Sequence, residues 1–311
     1  MNAKNQTVVT YLIIEGFSDV QELHLLIFLL VLLIYLITLG GNMIILLLVC
    51  LDSQLHTPMY FFLCNLSLLD IASSSVTLHK ILVIFVTGDN VVPFTDCITQ
   101  LYVFSWLCTN ELILLTVMGY DRYVAICNPL RYPTIMNSRV CVGLAILCWS
   151  ISLLQPLPMV SIVSRFSCYT SNIINHFFCD LMPLLNLTCN DTSVLRLLLF
   201  TQGAILLTLT PFVLTCISYS FIIAAITRIK SSTGRSKAFY TCSSHLGVVI
   251  LLYVTLICQY FTPSGTLKSR KLFSLMNTAV VPMLNPFIYT LKNKDVKLAL
   301  HRKLKCFMTI T

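Results

Sequence analysis

The segment from Thr109 to Cys127, TNELILLTVMGYDRYVAIC, decides the class of this chain. Its apolar residues form a long run that ends at the charged pair Asp121-Arg122. Charges at the end of a hydrophobic helix are typical of the boundary between membrane and water, where a guanidinium reaches solvent or a partner. The segment therefore predicts a membrane-spanning helix with a charged pair at one end.

The composition extends this interpretation to the whole chain. Of its 311 residues, 57% are hydrophobic and 10% are charged, and the mean hydropathy is +0.87. Soluble domains carry roughly 25% charged residues. A single soluble core of this length would leave far more charge at its surface, so the composition predicts a polytopic membrane protein.

The number of spans follows from length, because a bilayer core about 30 Å thick needs ~20 apolar residues per helix. Seven runs qualify, near residues 23–50, 58–86, 97–122, 140–163, 195–229, 238–262 and 272–291. An odd number of spans without an internal repeat disfavours a duplicated transporter. We expect an all-α membrane protein, a seven-transmembrane helix bundle (23–291) followed by a segment (292–311) that contains a short amphipathic C-terminal helix.

The distribution of Lys and Arg predicts the orientation. Placing the first 22 residues outside puts thirteen of the twenty Lys and Arg residues at the inner face, against three acidic residues. This excess indicates topology and contact with lipid headgroups, and it is not a nucleic-acid footprint. We therefore expect an extracellular N-terminal tail (1–22) and a cytoplasmic C-terminus.

The N-terminal tail shows no basic region followed by a short apolar stretch and a cleavage site, so we expect the first span to act as its own signal-anchor. Asn5-Gln6-Thr7 is a glycosylation sequon, and we expect Asn5 to carry a glycan on an outer tail. Asn186 and Asn190 also begin sequons, and their occupancy is left open.

Several motifs along the chain appear together and in one order. They are Gly41-Asn42, LHTPMY at 55–60, NLSLLD at 65–70, MGYDRYVAIC at 118–127, Ser218-Tyr219, KAFYTCSSHL at 237–246 and PMLNPFIY at 282–289. This set resembles the odorant (olfactory) receptors among the rhodopsin-like G-protein-coupled receptors. The resemblance covers nearly the whole chain. It implies a plasma-membrane receptor, not an enzyme, that binds a small volatile ligand and activates a stimulatory heterotrimeric G protein to raise cyclic AMP.

Four of the fourteen cysteines, Cys97, Cys168, Cys179 and Cys189, fall at the oxidising outer face and permit three pairings. The resemblance implies the pairs Cys97–Cys179 and Cys168–Cys189. A metal site at His176, Cys179 and Asp180 is not predicted, because a disulfide would remove the Cys179 thiolate. Cys306 is a candidate for palmitoylation.

Asp70, Glu111 and Asn285 are polar residues at mid-membrane depth, where each charge is expensive. By resemblance they form one layer that would hold a structural sodium ion between the second, third and seventh helices. The alternative is a protonated carboxyl group held by hydrogen bonds, since close carboxylates raise each other's pKa. No other cofactor is expected.

The resemblance also implies a switch at the inner face. Arg122 would pair with Asp121 at rest and turn toward a G protein on activation. Pro286 would provide a joint in the seventh helix, since proline breaks backbone hydrogen bonds. The alternative is that these residues only pack. The full set comprises Asp121, Arg122, Tyr123, Tyr219, Asn285, Pro286 and Tyr289.

A ligand site is expected in the outer half of the bundle. In the sixth span, Tyr253, Leu256, Ile257 and Tyr260 share one helix face at i, i+3, i+4 and i+7. Such a stripe alone is more typical of a core, and the resemblance makes it a site. The remaining predicted lining comprises Leu101, Phe104, Ser105, Cys108, Thr109, Gly203, Leu207, Leu275 and Thr278. It carries no charge, which predicts a small, neutral, mostly apolar volatile ligand.

Other classes fit less well. A channel needs a polar pore ring, and a transporter needs broken helices along a substrate path. A membrane enzyme needs a nucleophile–base set or metal ligands at membrane depth. None of these is evident in the spans. The closest alternative is a rhodopsin-like receptor for a non-odorant small metabolite.

Overall fold

The computed structural model describes residues 9–16, 24–261, 267–291 and 294–308. Within these ranges, seven helices are long and apolar enough to cross a membrane, which confirms the seven-helix prediction. They are α1 (His24–Leu51), α2 (Pro58–Thr87), α3 (Phe94–Cys127), α4 (Ser138–Val163), α5 (Ser193–Arg228), α6 (Ser232–Phe261) and α7 (Leu267–Leu275, Met276–Val280 and Val281–Leu291). The amphipathic helix α8 (Lys294–Met308) follows. Asn5 and the side chains of Tyr260 and Cys306 lie outside what the structure describes.

The surface of the bundle is apolar and its interior holds polar groups. On α1, Leu25, Leu26 and Leu33 are exposed, whereas Thr38 and Asn42 are fully buried. A soluble bundle would show the opposite distribution, since large exposed apolar surfaces are unstable in water. The arrangement fits a bundle whose solvent is lipid.

Helix α3 is longer than its apolar run at both ends. The sequence predicts a span over 97–122, and the helix covers Phe94–Cys127. The helix continues past Asp121 and Arg122. Arg122 Nε donates a hydrogen bond to Asp121 Oδ2, so the two charges are paired within the bundle. The helix ends at Cys127, because the next residue, Asn128, precedes Pro129 and is therefore disfavoured in the α region.

Helical regularity breaks at three places. In α4, Ser138–Leu154 and Leu157–Val163 are separated at Pro156, which lacks a backbone N–H. In α5 and α7, Leu199–Leu209 and Met276–Val280 are π-helical. Such segments often occur at functional sites, and both lie in the outer half of the bundle.

A small sheet covers the outer end of the bundle and was not anticipated from the sequence. β1 (Tyr11–Ile14) pairs antiparallel with β2 (Val91–Pro93) and parallel with β3 (Ile173–Ile174). Leu12 and Ile14 of β1 are fully buried against the outer cluster. The described part of the N-terminal tail is therefore a structural strand that holds the long outer loop.

Helices α1 and α7 pack closely at Pro286. Proline cannot donate to the carbonyl four residues earlier, and Asn42 Nδ2 donates to that carbonyl, Pro282 O, at 3.3 Å. The neighbouring Gly41 makes this approach possible, since a Cβ there would stand 2.9 Å from Pro286 Cβ. The motifs at 41–42 and 282–289 are thus two sides of one contact.

We expect Gly41→Ala to lower the stability of the receptor, because the methyl group would push α1 away from the rigid proline ring. Overpacking of this kind typically costs about 1–3 kcal/mol. The measurement is the thermal unfolding midpoint of the purified receptor. Gly40→Ala is the matched control, since a Cβ at Gly40 meets nothing within 4 Å. Equal midpoints for the two variants would contradict the proposed contact.

Candidate functional site

The predicted ligand lining on α3 is largely buried beneath the outer loop. Phe104 packs edge-on against Phe178 of that loop, with ring centroids 4.9 Å apart. Thr109 is buried and its hydroxyl donates to Gln155 Oε1 of α4 at 3.2 Å. Leu101 is also buried, in the outer cluster with β1, and Ser105 and Cys108 are half-buried.

On α6, the structure corrects the predicted face. Tyr253 and Leu256 are buried, but Ile257 is 48% exposed and faces the lipid side. The buried stripe continues through Thr255 and Gln259 instead. Each residue step rotates about 100° around a helix, so Ile257 lies about 200° from both Thr255 and Gln259 and points to the opposite side of α6.

The other predicted lining residues lie on α7 and α5. Thr278 of α7 is buried, and its hydroxyl donates to the Ser274 carbonyl at 2.9 Å. Leu275 is half-buried against the cluster that contains Phe104, toward α1 and α2. Gly203 and Leu207 are half-buried in the π-helical part of α5.

Polar groups between α6 and α7 were missed in the sequence. Gln259 Nε2 donates to Ser274 Oγ at 3.2 Å. The Thr255 hydroxyl, which lies 2.9 Å from Leu252 O within α6, is 3.4 Å from Asn277 Oδ1. Polar residues at positions 255 and 259, one helical turn apart in an apolar span, were the available signal. Among the described residues, Gln259 Oε1 and the Tyr253 hydroxyl are buried without a hydrogen-bond partner. Unsatisfied buried groups are costly, so both are suited to a ligand or water.

A cavity of about 170 Å³ lies between Gln259 and the outer loop. Gln259 contributes to its lining together with loop residues that include His176, Asp180 and Asn186. Burial and the nearby Lys271 charge lower the pKa of His176 to about 3, so its ring is neutral at physiological pH. None of the described residues of the predicted lining contributes to this cavity, which is displaced outward from them and includes Gln259 of α6.

The outer loop is fixed to the bundle by two disulfides, Cys97–Cys179 and Cys168–Cys189. Gln100 of α3 adds two hydrogen bonds. Its Oε1 accepts from Cys179 N at 2.9 Å, and its Nε2 donates to Val76 O of α2 at 2.7 Å. The loop is thereby held as a roof over α2 and α3.

At mid-membrane depth, the structure brings Asn285 and Asp70 together. Asn285 Nδ2 lies 3.1 and 3.0 Å from the two carboxylate oxygens of Asp70. Glu111 is buried as well. Within the described part of the chain, Glu111 Oε1 and Asn285 Oδ1 have no hydrogen-bond partner.

At the inner end of α3, Arg122 forms an ion pair with Asp121. The hydroxyl of Tyr132, in the following loop, donates to the other Asp121 oxygen at 2.8 Å. Burial and the Asp121 carboxylate raise the pKa of Tyr132, which keeps it a donor. Tyr132 was missed because nothing in the sequence shows that the loop folds back under α3.

A second contact at the inner half joins three helices. His245 of α6 reaches Leu115 O of α3 through Nε2 at 3.0 Å and the Tyr219 hydroxyl of α5 through Nδ1 at 2.8 Å. A neutral ring whose Nε2 donates accepts at Nδ1. The Tyr219 hydroxyl also lies 3.1 Å from Cys242 O of α6, to which it can donate. Tyr123 packs in the same inner cluster as Tyr219. The buried Tyr289 hydroxyl has no partner among the described residues.

Seven membrane helices, a disulfide-held outer loop and a closed Asp-Arg pair at the inner end of α3 define a rhodopsin-like G-protein-coupled receptor. A family model described as "Olfactory receptor" matches residues 31–306. Human olfactory receptor 13F1 is 45% identical over 302 residues, which cover 96% of this chain and 94% of that protein. Rat olfactory receptor 1f45 is 44% identical, with 98% and 97% covered. Human olfactory receptor 8D1 is also 44% identical, with 98% and 99% covered.

The chain belongs to the olfactory receptor family. It is a multi-pass plasma-membrane receptor and not an enzyme. The resemblance found in the motifs is thereby confirmed.

Proposed function

We propose that this receptor binds a small, neutral, mostly apolar odorant in the outer half of the bundle and activates a stimulatory heterotrimeric G protein, which raises cyclic AMP. The observation that carries the ligand class is that Phe104, Tyr253, Leu256 and Gln259, in the outer halves of α3 and α6, are each buried. These side chains have no charge, and an unpaired ligand charge would be poorly solvated against them. The free Gln259 oxygen and Tyr253 hydroxyl would each take one polar group of the ligand.

The proposed orientation places the N-terminus outside and the C-terminus in the cytoplasm. The excess of Lys and Arg at the end of the bundle that contains Arg122 and α8 supports it. In this orientation the outer loop and its cavity face the extracellular medium, and Arg122 faces the G protein.

A sodium ion is proposed in the layer formed by Asp70, Glu111 and Asn285. The fit rests on oxygen atoms, since Glu111 Oε1 and Asn285 Oδ1 are buried and have no hydrogen-bond partner among the described residues, and Asn285 also contacts the Asp70 carboxylate. Hard cations prefer such carboxylate and amide oxygens. The ion would neutralise buried negative charge and hold α2, α3 and α7 in the resting arrangement.

The test of function is a screen of neutral volatile compounds on cells that express the receptor, a stimulatory G protein and a cyclic AMP reporter. We expect agonists among small alcohols, carbonyl compounds and esters, and no response in matched cells that lack the G protein. A response restricted to non-volatile metabolites would favour a metabolite receptor. A response that persists without the G protein would contradict the proposed coupling.

For an alcohol found in that screen, Gln259→Leu is expected to raise the half-maximal concentration. Losing one hydrogen bond of about 0.5–1.5 kcal/mol corresponds to a roughly two- to tenfold shift. A hydrocarbon agonist of similar shape should shift less, because it offers no donor to Gln259. Ile257→Ala is the control on the lipid side of α6 and should change neither curve. A larger effect of Ile257→Ala than of Gln259→Leu would mean that the ligand contacts the α6 face predicted from the sequence, which includes Ile257.

We also expect Tyr132→Phe to raise basal cyclic AMP, because it removes the hydroxyl that holds the Asp121–Arg122 pair. A loss of one such bond would shift the resting equilibrium by roughly two- to tenfold. Tyr120→Phe is the matched control, since Tyr120 is exposed one residue from Asp121. Basal signalling is measured per receptor at the cell surface. An unchanged basal level in Tyr132→Phe would mean that this hydroxyl does not restrain the pair.

A further inference from the structure

A groove of about 420 Å³ lies where α1, α7 and α8 meet, at the inner end of the bundle. Residues such as Ile44, Phe287 and Leu300 are exposed, so the groove opens on the lipid-facing surface. It is separate from the ligand site and from the Asp121–Arg122 pair. Its lining comprises Ile37, Gly40, Gly41, Ile44, Leu48, Pro286, Phe287, Val296, Lys297 and Leu300.

The depth of the groove comes from two adjacent glycines on α1. Gly41 lets α7 approach at Pro286, as described above. Gly40 has the opposite surroundings, since a Cβ there would meet nothing within 4 Å. An apolar channel runs along one face of α1, formed by residues at i, i+3 and i+7, namely Ile37, Gly40 and Ile44.

Among the described lining residues, one is a cation, and it lies at the inner end of this channel. Lys297 of α8 is exposed and is the charged member of the lining. The position of α8 is fixed by Arg302, whose Nη2 lies 2.7 Å from Asp52 Oδ2 in the first inner loop. This hydrogen bond lowers the pKa of Asp52, which keeps the pair charged. Arg302 is thus engaged with Asp52, whereas Lys297 stands over the groove.

We infer that the groove binds one anionic phospholipid, with an acyl chain along Gly40 and Ile44 and its phosphate at Lys297. A groove on the lipid-facing surface is filled by membrane lipid, and the cation at its polar end favours a negative headgroup. This inference rests on the proposed cytoplasmic position of α8, because anionic lipids are concentrated in that leaflet. The bound lipid would contact Pro286 and Phe287 and thereby the part of α7 expected to bend.

The test measures lipid binding to the purified full-length receptor by native mass spectrometry. The probes are phosphatidylserine and phosphatidylcholine with identical acyl chains, titrated separately and in competition with cholesterol. No agonist and no G protein is present, so failure of this inference is distinguishable from failure of the proposed signalling. Gly40→Leu fills the channel, and Lys297→Gln removes the charge. Their matched controls are Gly143→Leu, at an exposed open position on α4, and Lys230→Gln, on an inner loop.

Wild type is expected to prefer phosphatidylserine by about fivefold, the contribution of one lysine near a membrane surface. Lys297→Gln should abolish this preference and leave phosphatidylcholine binding unchanged, whereas Gly40→Leu should weaken the binding of both lipids. Both controls should behave as wild type. An equal loss of the phosphatidylserine preference in Lys230→Gln and Lys297→Gln would show that positive charge attracts the lipid without a defined site. If cholesterol displaces phosphatidylserine and Lys297→Gln has no effect, the groove binds a sterol. Either result would overturn the inference.

Discussion

Replacing Arg122 with alanine is expected to abolish the rise in cyclic AMP on agonist addition while the receptor still reaches the cell surface. Arg122 is the cation of the α3 motif and is held by Asp121 at the inner end of the helix. Release of this guanidinium would give the G protein a planar group with five donors, which no neighbouring side chain of the motif can replace. The measurement is a cyclic AMP dose–response curve normalised to surface receptor.

Two further variants separate coupling from folding. Arg122→Lys keeps the charge but loses the forked geometry, so it should signal weakly. Arg139→Ala removes an exposed cation at the start of α4 and should signal as wild type. A well-expressed Arg122→Ala receptor with a normal response would rule out the proposed switch.

At the inner face, the pair that the resemblance implied is present in the structure. Asp121 and Arg122 are neighbours on one helix, so their pairing needs little knowledge of the fold. Tyr132 was not predicted, because its contact with Asp121 depends on how the loop 128–131 turns beneath α3. The partnership between Gly41 and Pro286 likewise joins residues that are distant in sequence and is visible only after the helices are packed.

The outer half was predicted less accurately, for geometric reasons. In a membrane helix, a stripe of apolar residues does not show which face turns toward the bundle, because the lipid and the protein core are equally apolar. Ile257 was therefore placed inside, although Gln259 marks the inward face by its polarity. The π-helical segment that contains Gly203 and Leu207 also changes the residue spacing per turn, so the ordinary i, i+3, i+4 count does not hold there. The sheet rests on strands of two to four residues, which are too short to show a pattern.

Loss of the Cys97–Cys179 disulfide is the second large effect that we expect. The bond closes 82 residues of chain, and a crosslink over such a length raises the free energy of the unfolded chain by about 4.5 kcal/mol. It also holds the Gln100 hydrogen bond to Cys179 N, which fixes the roof over α3.

Cys97→Ser, Cys179→Ser and the double variant should therefore be retained inside the cell and melt well below wild type. Cys168→Ser with Cys189→Ser opens a shorter closure of 21 residues within the loop and should cost less, about 3 kcal/mol. The measurements are surface expression and the thermal midpoint of purified receptor, with mass spectrometry of the non-reduced protein to establish the pairing. The double variant at Cys97 and Cys179 should be no worse than either single variant, because the second change removes only a free thiol. Wild-type surface levels in all three variants, or a free Cys97 thiol in the native receptor, would mean that β1 and Gln100 hold the roof without a covalent link.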